Sequence, residues 1–144
     1  MNNFFVGQKV VLEKTFTLEE VVAYAGLTGD NNPLHIDAEF AAKSRFGKNI
    51  VHGMFVMGVV SKILGTMLPG YGTIYLGQDV KFIKPVYVDE KVFFEVAITE
   101  IIEEKKIIYL STNVLNSKGE YLVEGSARVL YEGYKNGLYS SRCQ

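Results

Sequence analysis

The chain is poor in several things, and each shortage excludes a class of protein. It has one cysteine, Cys143, next to its last residue. That rules out a disulfide framework and a thiolate metal cluster, and leaves no thiol nucleophile beside any motif. It has almost no net charge: 15 Lys and Arg stand against 16 Asp and Glu, for a net −1. Nothing in that balance draws it to nucleic acid or to an anionic membrane. Long apolar runs are missing as well. The stretch from Met54 to Leu68 is broken by Gly58, Lys62 and Gly65 and falls short of a bilayer span. Met1–Phe5 has neither the basic start nor the long apolar run of a signal peptide, so a reducing cytoplasm is the expected compartment. No Gly-x-Ser-x-Gly and no Gly-rich phosphate loop occurs. The two histidines and scattered acids lack the spacing of a metal site.

What is there reads as one α+β domain over residues 1–144, with a loose polar tail from about residue 133. At 144 residues and 48% hydrophobic, the chain can bury a sizeable core. Val6 to Thr15 reads as a strand. Thr17 and Glu20 then have capping-box spacing, and Phe16 and Val21 have that of a hydrophobic staple. Leu18, Val21, Val22 and Ala25 continue with helical period. A second short helix is predicted with Asp37 as N-cap and Gly47 past its end. Gly53 to Leu68 is apolar on all sides, which predicts a long helix buried all round. Close approach to a sheet would explain Gly58 and Gly65, with Lys62 reaching out to water. Strands follow at Thr73–Phe82, Lys91–Glu103, Ile107–Leu115 and Tyr121–Tyr131, the last two joined by a turn at Asn116–Gly119. The order predicts an antiparallel sheet wrapped around a long central apolar helix. One sheet cannot cover that helix completely, so pairing with a second copy is expected.

The chemistry concentrates in Thr28-Gly29-Asp30-Asn31-Asn32-Pro33-Leu34-His35. Pro33 lacks an N–H and pushes Asn32 out of the α region, and the residues before it are turn formers. The segment therefore reads as a tight loop, not a helix, that displays Asp30 and His35. A carboxylate and an imidazole together can hold one water, take its proton and return a proton elsewhere. Gly53 opens the apolar helix. Its amide has no partner within the helix and sits at the positive end of the dipole, which suits a developing oxyanion. His52 reads as a structural residue at the helix start. Lys43, Arg45 and Lys48 cluster at the end of the second helix, where they complement its dipole or meet ligand phosphates.

Leu27–Asp37, followed by Phe40-Ala41-Ala42, Phe46-Gly47 and Ile50-Val51-His52-Gly53-Met54, resembles the hydratase-2 motif of the MaoC-like family. The likeness runs from about Phe16 to Tyr131 and is strongest with the single-domain (R)-specific enoyl-CoA hydratases. It implies a hot-dog fold and a homodimer. It implies syn addition of water to a trans-2-enoyl-CoA, giving an (R)-3-hydroxyacyl-CoA with no metal or redox cofactor. By the same resemblance Asp30 and His35 match the catalytic pair, and Gly53 matches the amide that holds the thioester oxygen. Ser61 matches a serine near the site in some relatives, and Asn32 is a supporting member of the motif. Arg45 and Lys48 are candidates for CoA phosphate contacts. Tyr24 stands where relatives often carry phenylalanine.

Three alternatives remain open at this level. A dehydratase acting on acyl-carrier-protein thioesters would run the same chemistry backward. A hot-dog thioesterase usually carries an acidic residue on the central helix, and Gly53 to Leu68 has none. An acyl-CoA sensor would give the Asp30/His35 pair no purpose.

Overall fold

The computed structural model describes residues 3–134; the tail from residue 135 lies outside the described residues, so the expectation of a loose end is untested there. Five strands form one antiparallel sheet: β1 Lys9–Thr15, β2 Ile74–Phe82, β3 Lys91–Ile102, β4 Ile107–Asn116 and β5 Tyr121–Leu130. Their spatial order is β1-β3-β4-β5-β2. The first two strands in sequence therefore lie on opposite edges. Four helices come between them: α1 Leu18–Thr28, α2 Pro33–Ile36, α3 Ala38–Ala42 and α4 Gly53–Thr66. The last carries the chain across the sheet, packing on β3 and β2. This is the hot-dog arrangement.

Alternation along the strands sets which face α4 covers. Val92, Phe94, Val96 and Ile98 of β3 point inward, as do Leu110 and Val114 of β4 and Ala127 and Val129 of β5. Val56, Val60, Ile63 and Leu64 of α4 meet them, all essentially without solvent contact. Burying each such side chain stabilises the fold by about 1.5–3 kcal/mol. At the entry to α1, Thr17 and Glu20 close a full capping box and Phe16 and Val21 are buried.

Several local expectations need correction. β1 starts at Lys9, not Val6, because Gly7 takes φ 95 and Gln8 donates its amide to the Phe5 carbonyl in a turn. On α1 only Val21 and Ala25 are buried; Leu18 and Val22 face solvent. The central helix is not buried all round. Met54, Gly58, Ser61 and Lys62 mark an uncovered face. Nothing in this chain comes within 4 Å of where a Cβ at Gly58 or Gly65 would stand, so close approach to its own sheet is not the reason for either glycine. The predicted loop also contains a helical turn, Pro33–Ile36. Proline is tolerated at a first helical position, where its missing N–H would go unused anyway.

Candidate active site

The loop that carries Asp30 and His35 is shaped by its own side chains. α1 ends at Gly29, whose φ of 82 favours glycine and whose amide bonds the Ala25 carbonyl. Thr28 Oγ1 accepts from the Asp30 amide at 3.2 Å. Asn32 caps α2, its side chain accepting from the Leu34 amide at 3.1 Å. That turn projects His35. Asp37 then caps α3 by accepting from the Phe40 amide at 3.1 Å, as the sequence predicts.

A second segment, 49–52, ties the loop to the sheet. Val51 donates to the Val86 carbonyl at 2.7 Å, and Ile50 bridges to Tyr87. From this segment Asn49 Nδ2 donates to the carbonyls of Leu34 (3.0 Å) and Asp37 (3.3 Å). His52 Nε2 lies 3.0 Å from the Asp30 carbonyl, and His35 Nδ1 lies 2.7 Å from the Ile50 carbonyl. A carbonyl only accepts, so each of those nitrogens carries the proton. His35 is thereby oriented with Nε2 as its free basic atom.

A carboxylate oxygen of Asp30 and one ring nitrogen each of His35 and His52 lie within 4.8 Å of one another. One water can bridge a gap of that size with two hydrogen bonds. Atoms this close could also hold a metal ion. Each histidine has one nitrogen committed to a carbonyl, and their rings stack at 3.9 Å with planes 27° apart.

Asp30, His35 and Gly53 open onto one cavity of about 560 Å³. Its lining includes the apolar side chains of Val56, Val86 and Val123 and the charged ones of Arg45 and Lys84. Gly53 is the first residue of α4, so its N–H has no intrahelical partner and lies at the positive helix end. A Cβ there would stand 2.8 Å from the Phe82 ring, so only glycine fits with that ring in place. Lys84 is paired with Glu120, and its hydrogen bond, followed by one from Asn116, holds the Glu120 carboxyl below the usual carboxylate range.

The predicted site residues separate on this geometry. Asp30, His35, Gly53 and Arg45 line one cavity. Lys48 does not line it; its ammonium sits over the Tyr87 ring, 4.7 Å from the centroid. Ser61 lines an adjoining groove of about 360 Å³ with Met57, Gly58, Tyr75 and Gln78, which shares Met54 with the first. Burial raises the Tyr75 hydroxyl above the ordinary tyrosine range. Asn32 shapes the turn and does not line the cavity. Asn49, Phe82 and Lys84 join the site from 14 or more residues away from the loop, where no spacing rule could point to them. Among the described residues no helix is long and apolar enough to cross a membrane.

Comparison with known proteins agrees with the geometry. The family profile described as "MaoC like domain" matches residues 3–119. The (R)-specific enoyl-CoA hydratase of Aeromonas caviae is 46% identical over 124 residues, covering 86% of this chain and 92% of that protein. A solved structure titled as an (R)-hydratase from A. caviae involved in PHA biosynthesis superposes with a TM-score of 0.88 at 44% identity, over 91% of this chain and 99% of the other. R-hydratase PhaJ1 from Pseudomonas aeruginosa gives 0.87 at 33% identity, over 92% of this chain and 85% of its own.

Proposed function

Because the chain belongs to the MaoC-like family, we propose that it adds water to trans-2-enoyl-CoA thioesters to give (R)-3-hydroxyacyl-CoA, and that Asp30, His35 and Gly53 carry the reaction. The observation that supports this best is the shared cavity. A carboxylate and an oriented imidazole face one water-sized gap, and a free helix N–H opens onto the same space.

The steps follow from those atoms. Water donates one hydrogen to the Asp30 carboxylate and the other to His35 Nε2, which leaves its oxygen lone pair facing C3. The thioester carbonyl accepts from the Gly53 N–H. As the oxygen adds to C3, the C2=C3 pair moves into a C1=C2 bond, the carbonyl pair moves onto the thioester oxygen, and an O–H proton passes to the Asp30/His35 pair. The enolate then collapses and C2 takes a proton back from the same pair. Both additions come from one side, so the addition is syn. One well-placed N–H at the enolate oxygen is worth about 10²–10³ in rate. No change of oxidation state occurs, and the reading asks for no metal or redox group.

Arg45 supplies a cation for the CoA phosphates, and Lys84 is a second once Glu120 releases it. The exposed apolar start of edge strand β2 and the bare face of α4 fit a homodimer. The reading places the enzyme in the cytoplasm.

The test is product chirality. Purified protein is mixed with trans-2-butenoyl-CoA, and the product is offered to dehydrogenases specific for (R)- or (S)-3-hydroxyacyl-CoA. The expected result is (R) product with no free thiol. An (S) product, or thiol release without hydration, contradicts the proposal. Turnover confined to the acyl-carrier-protein thioester moves the substrate to that carrier and keeps the chemistry.

A further inference from the structure

His52 reads from sequence as a structural histidine, yet it is a poor one. Its ring is 2% exposed, and Nδ1 is buried with no hydrogen-bond partner among the described residues. An unsatisfied buried acceptor is destabilising, and a phenylalanine ring would fill similar space without it. Although His52 precedes α4, its side chain makes no capping hydrogen bond. What the imidazole does supply is directed elsewhere. Nε2–H donates to the backbone carbonyl of Asp30 at 3.0 Å, and the ring face stacks on His35 at 3.9 Å.

We propose that His52 is a positioning residue for the Asp30/His35 pair, fixing the first through its Nε2–H and the second through its ring. The inference rests on the proposed roles of those two residues. His52 itself stands on firm ground. Tyr24 packs against it at 4.6 Å, Tyr24 stacks on Phe55 at 4.9 Å and 2°, and Phe55 meets the buried Phe16 edge-on at 4.9 Å. The line of rings runs from His35 into the core. His52 also adjoins Gly53, so one residue links the water-holding pair to the amide that receives the thioester oxygen. The spacing between attack and oxyanion is thus set by a single rigid junction. Near-attack geometry is sensitive to shifts of about 1 Å, which cost up to ~100-fold in rate.

The two contacts separate by substitution. His52→Phe keeps a ring for His35 and removes the Nε2–H. His52→Gln keeps an N–H near the Nε2 position and removes the ring. His52→Leu keeps neither. For His52→Phe the expected result is a kcat drop of ~10- to 100-fold with KM within about threefold and no loss of Tm. His52→Gln, which keeps the N–H, retains more kcat than His52→Leu, which keeps neither contact. Wild-type kcat in His52→Phe overturns the proposal, as does a His52→Gln no better than His52→Leu. If His52→Phe melts well below wild type, the comparison passes to His52→Gln against His52→Leu at matched Tm; equal kcat in those two overturns it as well. Failure of the underlying assignment looks different: Asp30→Asn would then stay active, whatever His52 does.

Discussion

Asp30 and His35 lie across a gap that one water could bridge, and each carries a separate prediction. Asp30→Asn and His35→Gln should each lower kcat by about 10²–10⁴ while circular dichroism and Tm stay near wild type. Gly53 carries another. Gly53→Ala forces a Cβ against the Phe82 ring at 2.8 Å. Overpacking of that kind costs about 1–3 kcal/mol and here also shifts the amide. Denaturant unfolding should show the loss, and Phe82→Leu in the same chain should restore most of it. At this scale the pair was legible because both residues fall within one short loop motif, and Gly53 because it opens the apolar helix. Asn49 and His52 were not legible as its supports, since they reach the loop only after the chain has turned back from the sheet. Arg45 and Lys48 looked equivalent in sequence. Packing separates them, because Tyr87 draws one ammonium away.

α1 delivers the chain to the loop, and its N-terminus is held by Thr17 and Glu20. Thr17→Ala should cost about 1 kcal/mol in urea unfolding. Glu20 is held below the ordinary carboxylate range, first by its hydrogen bond from Lys14 and next by that from the Thr17 amide. A lowered folded-state pKa stabilises above the unfolded value and is lost as pH falls through the folded one. Glu20→Gln keeps the cap but removes the charge. It should lower Tm slightly near neutral pH, as expected for a partly exposed pair, with the difference vanishing in acid. Equal effects at all pH would contradict this. The capping box and the strands were readable because they depend on local spacing alone. The turn at Pro33–Ile36 was misread because proline was weighed as a breaker when it stands at a helix start. The faces of α1 and α4 went wrong for another reason. Periodicity shows that a face is apolar, and not whether anything covers it.

Across the described residues, the β2 edge exposes Ile74, Tyr75 and Leu76, and the Met54 and Ser61 face of α4 is bare as well. A nine-residue edge strand with those three exposed at its start is a template for pairing. The native protein should sediment as a dimer, and Leu76→Lys should shift it toward monomer; a monomeric native protein would contradict the pairing. The central claim needs one more measurement, the initial rate of trans-2-butenoyl-CoA hydration by wild type and Asp30→Asn at equal concentration, followed by loss of the conjugated enoyl absorbance. A rapid wild-type reaction that falls by at least about 10² in the variant is the predicted result. A folded Asp30→Asn protein that hydrates within a few-fold of wild type would contradict the account.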